Sequence, residues 1–340
     1  MAPMRWYLSC REITIGSAED PCVAVATLSH NTLLVARASG RVDRLTVDPT
    51  SAEITAATMV VGPSQLELGY KSVRSCLVGG YNHTIQVSIT SGMTEHALRS
   101  TTKPLEVRVF YPDTGHSRQI VNIGGGNWPE PRYCGSVGVV GGTLVVVSGF
   151  SYSDETDRSR PDGTPIHDMW CLDIQSRDPN ETWRRQSIPF DAMWGFRNLT
   201  PAAAPVMVSS VGDSLMSLYS KQAYHLSFTG QIRQEAITYV GKVPPHISTT
   251  TIQVDIGLYI CMFKTERYTR PTDEANQWRH LVFMYDRVSG DAILCESLPF
   301  PEEVTCACMP NPTTMIVVQE ERLLLVELDP ELFNTYTDVD

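Results

Sequence analysis

The 340-residue chain has no run of 18 consecutive apolar residues, which argues against a membrane-spanning helix. Its start, Met1-Ala-Pro-Met-Arg-Trp-Tyr-Leu-Ser-Cys10, has no charged-then-apolar segment ending in small residues, so no secretory leader is expected. Positive charge is scarce. Lys and Arg number 27 against 38 Asp and Glu, giving a net charge of −11, and this balance disfavours broad contact with a phosphate backbone. Cys-x-x-Cys pairs and the i,i+4 histidine pair of a zinc-protease helix are both missing, and the eight histidines are scattered. Gly124-Gly-Gly126 lacks the strand-to-helix context of a phosphate loop. No catalytic residue, metal or cofactor is therefore expected. The nine cysteines stand singly, several inside apolar runs such as Leu258-Tyr-Ile-Cys-Met-Phe263, and read as reduced thiols of a cytoplasmic protein. Sequons at Asn82, Asn180 and Asn198 oppose that reading only by short motifs. Cys306-Ala-Cys308 places two sulfurs on one face of a strand, as packing residues.

Helical periodicity is also nearly absent. Short Val/Ile/Leu/Tyr-rich runs broken by Gly, Asp, Asn and Pro take its place, the pattern of an all-β fold. Three segments superpose: Cys22 to Val35, Cys76 to Val87 and Cys134 to Val146. Each is an apolar strand, a turn of Asn, His or Gly, then a strand opening on Thr32, Thr84 or Thr143. Those turn residues tolerate the positive φ that tight hairpins need. Weaker copies follow near 206, 249 and 304, with Gly212-Asp213, Asp255-Ile-Gly257 and Asn311-Pro312 at their turns. A second strand pair accompanies each copy, giving six four-stranded units that begin near 22, 72, 133, 203, 247 and 304. Such units bury both faces only by stacking, and radial closure yields a β-propeller. The expected architecture is all-β, a six-bladed propeller over 1–330 with an acidic tail at 331–340; a seven-bladed or WD-type ring is the alternative. The last unit is one strand short. The run Arg5-Trp6-Tyr7-Leu8-Ser9-Cys10-Arg11 is expected to supply that outer strand and so remove an open edge.

Unit three is more specific: Pro131-Arg132-Tyr133, Gly141-Gly142, Val145-Val-Val-Ser-Gly149, then His167-Asp-Met-Trp-Cys-Leu-Asp173 and Trp183-Arg184. This segment resembles a kelch repeat, with Trp170 and Trp183 in the aromatic places and Trp6 in the place of Trp183. The other units depart from the pattern, and the resemblance is strongest over 131–184. It implies a propeller. Among kelch-fold relatives it also implies an alternative, a propeller enzyme of carbohydrate or copper-oxidase type with its site at the central channel.

In a four-stranded blade, the turn between strands two and three shares a face with the link to the next blade. The long turns 90–104, 150–166 and 265–278, and the links 59–71, 123–132 and 188–201, fall on that face. They carry Trp128, Arg158, Arg160, Trp194, Phe196, Arg197, Tyr268, Arg270 and Trp278, types enriched at interface hot spots. The leading expectation is a non-enzymatic protein-interaction module or assembly subunit, docking a basic peptide or loop on the long-loop face.

Overall fold

The computed structural model describes residues 3–14, 20, 22–37, 39, 41–62, 73–80, 83–90, 106–110, 117–120, 127–130, 136–140, 143–147, 149–151, 164–174, 183–188, 209–211, 214–219, 221–227, 230–241, 252–268, 277–300, 304–319 and 322–334. Strand β1 (Tyr7–Ile13) comes first and is placed last. The first sheet is β2 (Cys22–Ser29), β3 (Thr32–Arg37), β4 (Val42–Val47) and β5 (Ile54–Val61), and the second is β6 (Val73–Gly80), β7 (His83–Thr90), β8 (Glu106–Phe110) and β9 (Ser117–Ile120). The third is β10 (Ser136–Val140) and β11 (Thr143–Val147), then, past a two-stranded ribbon of β12 (Phe150–Ser151) and β13 (Thr164–Pro165), β14 (Asp168–Asp173) and β15 (Arg184–Ser187). The fourth is β16 (Ser209–Val211), β17 (Ser214–Tyr219), β18 (Gln222–Ser227) and β19 (Ile232–Ala236). In the fifth, β20 (Thr238–Val240) pairs in parallel on the outside of β21 (Ile252–Ile256), β22 (Tyr259–Tyr268), β23 (Gln277–Asp286) and β24 (Asp291–Cys295). The sixth is β25 (Val304–Asn311), β26 (Thr314–Gln319) and β27 (Arg322–Leu328), with β1 completing it antiparallel to β27. The result is an all-β, propeller-like arrangement.

Hairpin chemistry explains the local folding. Asn31 turns β2 into β3 at φ 55, and Gly257 turns β21 into β22 at φ 83, a left-handed backbone that few residues other than Asn and Gly adopt readily. Asp48, Asp255 and Asp286 each accept a backbone N–H two residues on, which pins the turns that follow.

The cores lie between consecutive sheets. Val107, Val109 and Ile120 meet Leu144, Val146 and Trp170, while Val145, Met169 and Cys171 on the other face meet Tyr224 and Leu226. Met216 and Leu218 meet Ile260, Met262 and Phe283, whereas Cys261, Phe263 and Met284 look the other way onto Met315, Val317, Leu324 and Val326. The last sheet's Ile316, Val318, Leu323 and Leu325 then pack on Val25, Leu33, Val35 and Leu45 of the first. The third, fourth, fifth and sixth sheets are each covered on both faces. That is why Leu323-Leu-Leu-Val326 reads as an unbroken apolar run instead of alternating with polar residues.

The inner strands touch in chain order, β2 with β6, β6 with β10, β10 with β16, β16 with β21 and β21 with β25, and β25 returns to β2. At that return Cys306 Sγ lies 3.3 Å from Val25 O, Thr27 Oγ1 donates to Met309 O at 2.6 Å, and Asn311 Nδ2 donates to Asn31 Oδ1 at 2.7 Å. Cys306 and Cys308 do share this inner strand, and burial raises both thiol pKa values. Cys22 opens β2, whereas Cys76 is the fourth residue of β6, and Cys134 lies outside the described residues.

Trp6 and Trp183 occupy matching places. Each immediately precedes the outermost strand of its sheet, and each is buried. Trp6 donates Nε1–H to Glu296 O at 2.6 Å and packs edge-on against Phe263. Beyond β27, the one-turn helix α1 (Glu331–Asn334) buries Leu332 in the core of the fifth and sixth sheets. Within the segment read as an acidic tail, Leu332 is therefore a packed residue. Among the described residues, no helix is long and apolar enough to cross a membrane.

Candidate functional site

Antiparallel order places the end of each second strand, the start of each third strand and the start of each first strand at one end of the sheets. Among the described residues the buried polar and charged side chains are Asp43, Asp168, Gln253, Lys264, His280, Asp286, Thr314 and Gln319. Six lie toward this long-loop end; only Asp286 and Thr314 lie at the opposite, hairpin end. Buried polar groups need partners, and the sequence places them locally.

In the first sheet, Asp43 near the start of β4 receives Arg37 Nε at 3.2 Å and Arg41 Nε at 2.7 Å. Arg37, the last residue of β3, also donates to Asp20 O, and the Asp20 carboxylate accepts both the N–H and the hydroxyl of Ser39. This network ties the start of β2 to the β3–β4 turn. In the third sheet, Asp168 accepts Trp170 Nε1–H at 2.7 Å and Arg185 Nε–H at 3.2 Å, and the Arg185 guanidinium lies over the Trp170 ring. Between the fourth and fifth sheets, the Gln253 amide acts as a strand mimic, accepting Leu218 N–H at 3.2 Å and donating to Leu218 O at 3.3 Å.

Lys264 lies on the same face of the fifth sheet as Met262, one residue beyond the level where β21 starts. It is 1% exposed, and burial pushes its amine down to about 8, because the charged form loses hydration there. On the other face, His280 is buried, and its backbone carbonyl accepts the Ser297 hydroxyl at 2.9 Å. Gln319, at the end of β26, donates to Phe300 O at 3.4 Å. The long-loop end thus carries a desolvated amine on the fifth sheet and hydrogen-bonded carboxylates on the first and third. Among the described residues, no group of three His, Cys, Asp or Glu side chains could hold a metal ion.

The residues singled out by composition fare differently. Trp128 is half-buried and packs edge-to-face on Trp183, 5.6 Å between ring centroids, so it belongs to the core between the second and third sheets. Tyr268 and Trp278 are strand positions: Tyr268 pairs with Gln277 at the tip of the β22–β23 ladder, and Trp278 pairs with Arg267. Residues 265–268 and 277–278, expected within a turn, are thus strand residues, because pairing continues past the sheet; 269–276 lie outside the described residues. Arg158, Arg160, Trp194, Phe196, Arg197 and Arg270 lie outside the described residues. Sequence reading passed over Asp43, Gln253, Lys264 and His280. A lone lysine or glutamine inside an apolar strand, as in Cys261-Met-Phe-Lys264, was the available signal.

No family model matches the chain, and no curated protein is similar to it. The kelch resemblance of 131–184 thus has no family match behind it, and the propeller-like arrangement is what stands. Among solved structures, a structural-genomics protein of unknown function from Bacteroides thetaiotaomicron is similar at 9% identity and TM-score 0.52, over 94% of this chain and 72% of that one. Another, described as a candidate gluconolactonase, is similar at 12% identity and TM-score 0.50, over 94% of this chain and 92% of that one. At such identities the likeness speaks to the fold. The expectation of a non-enzymatic interaction module is corrected here: the neighbour with a named activity is described as a candidate enzyme.

Proposed function

We propose that the chain is a propeller enzyme acting on a small carbohydrate-derived molecule, a sugar lactone in the first instance, at the long-loop mouth of a central channel. In this reading the six main sheets are blades of one closed ring, supported by the cyclic order of inner-strand neighbours from β2 round to β25 and back. The observation that carries the functional reading is the gathering of buried polar side chains at one end of an otherwise apolar stack, Lys264 among them. Propeller-like likeness to a candidate gluconolactonase supplies the substrate class. Water adds to the lactone carbonyl carbon, the ring C–O bond breaks, and the leaving alkoxide takes a proton, so that one lactone and one water give one hydroxy acid. A desolvated site favours this step by strengthening the electrostatic contacts that meet the developing oxyanion.

The test is base uptake in a pH-stat with D-glucono-1,5-lactone, corrected for spontaneous opening, with chelator and with added divalent cations in parallel. Acid release proportional to protein concentration is the expected result. No release above the blank across a panel of five- and six-membered sugar lactones, under every metal condition, overturns the reading.

A further inference from the structure

The outermost strand of a sheet leaves one row of backbone N–H and C=O groups without a partner strand. Such an edge pairs with any chain laid along it unless charge, shortness or cover prevents this. Among the described residues, five of the six main sheets guard that edge. β9 (Ser-Arg-Gln-Ile), β15 (Arg-Arg-Gln-Ser) and β19 (Ile-Arg-Gln-Glu-Ala) carry charge, and β1 carries Arg11 and Glu12. The fifth sheet ends in the three-residue β20, past which Met4 bridges to Cys295.

β5 differs from all of these. It reads Ile54-Thr-Ala-Ala-Thr-Met-Val-Val61, eight residues with no charge, proline or glycine, and mostly β-branched. Thr55 to Met59 form an unbroken exposed row, Met59 to 54%, and among the described residues only β4 pairs with the strand. The β4–β5 ladder slips between Val42 and Asp43 and again between Thr46 and Val47. Thr55 fills the second irregularity, its hydroxyl donating to Thr46 O at 3.2 Å. Between the two, Ala56 to Met59 run in regular register against Thr46 to Asp43, and alternate residues there point their N–H and C=O groups away from β4.

We propose that β5 is an association edge through which the chain pairs with a second copy of itself, the two strands running antiparallel and joining their first sheets. A two-fold axis sets Ala56–Met59 of one copy against the same stretch of the other, with no like charges brought opposite. Two chains of net charge −11 repel, so a contact between copies is best placed where neither contributes charge. The regular stretch is short, which makes the dimer a dissociable one. The edge is the outer side of the first sheet and plays no part in lactone opening, so either proposal stands without the other.

Sedimentation equilibrium of the whole chain, with reductant present and over about 1–200 µM protein, tests this. A rise from 37.7 kDa toward twice that mass is expected. Thr58→Lys sets like charges together across the edge and is expected to raise the dissociation constant at least about tenfold. Thr58→Val, still uncharged, is expected to leave it within about twofold, with circular dichroism confirming that both variants fold. A parent that stays at 37.7 kDa throughout overturns the proposal, as does a folded Thr58→Lys protein that dimerises like the parent. Dimers that weaken as salt is added also overturn it, because screening relieves the repulsion between two acidic chains and tightens an uncharged contact. A monomeric parent that binds a labelled, lysine-flanked peptide of the 54–61 sequence overturns the second copy in favour of a foreign strand.

Discussion

Replacing Trp6 by alanine tests how the N-terminal strand β1 is held in the last sheet. The indole is fully buried among Phe263, Tyr7 and the core shared by the fifth and sixth sheets, and its N–H reaches Glu296 O at 2.6 Å. Truncating a buried tryptophan costs about 3–5 kcal/mol through lost burial and the cavity left behind. The stranded Glu296 carbonyl adds about 1 kcal/mol. The expected loss of about 4–6 kcal/mol is a large part of the roughly 5–15 kcal/mol that separates most folded domains from their unfolded chains. Trp6→Phe keeps the apolar body and gives up only the hydrogen bond and some volume, so a loss of about 1–2 kcal/mol is expected. Urea unfolding followed by far-ultraviolet circular dichroism measures both. Limited proteolysis adds a local readout, since a loosened β1 uncovers the β27 edge. A Trp6→Ala protein within 1 kcal/mol of the parent, with an unchanged cleavage pattern, refutes the view that this side chain anchors the closing strand.

Three further outcomes follow from single side chains. Lys264 has its amine at about 8 in the folded protein against about 10.4 in an unfolded chain, so between those values the unfolded state binds more protons and stability rises with pH. Lys264→Met is expected to flatten that rise and to stabilise the protein at pH 7 by up to about 3 kcal/mol, less whatever the amine's own polar contact contributes, as urea curves at pH 7 and 10 will show. Gln253→Ala leaves the Leu218 N–H and C=O unsatisfied between two sheets; a loss of about 2–4 kcal/mol is expected, and a change under 0.5 kcal/mol in chemical denaturation would count against the strand-mimic role. Asn31→Val forces a β-branched residue to φ 55 and removes the bond from Asn311, whereas Asn31→Gly removes only the bond, so thermal melting should place valine at least 1 kcal/mol below glycine.

The legible part of the fold was the part written locally. Asn31 and Gly257 announced their hairpins because positive φ restricts residue type, and the run from Trp6 to Arg11 announced a strand that the last sheet lacked. Trp6 and Trp183 could be matched because each sits one residue before an outer strand. The candidate site was not legible in this way. Its groups come from β4, β14, β21, β22, β23 and β26, and each is a single polar residue whose burial depends on which sheet packs over it. The hot-spot composition of the long segments pointed instead to Trp128, which the structure seats on Trp183, and to Tyr268 and Trp278, which belong to an extended ladder.

By itself the sequence determined the strands, their turns and the missing edge, because period, turn chemistry and strand count are properties of neighbouring residues. It also determined that the strands would be covered on both faces, through apolar runs such as Leu323 to Val326. Only the tertiary structure decided that Cys306 meets Val25 across the closing interface, and that Gln253 completes the backbone of β17. It alone decided that Lys264 loses its water, and that β22 and β23 keep pairing beyond their sheet. Those outcomes depend on contacts between residues tens or hundreds of positions apart, where burial and hydrogen-bond partners are set by packing and not by local pattern.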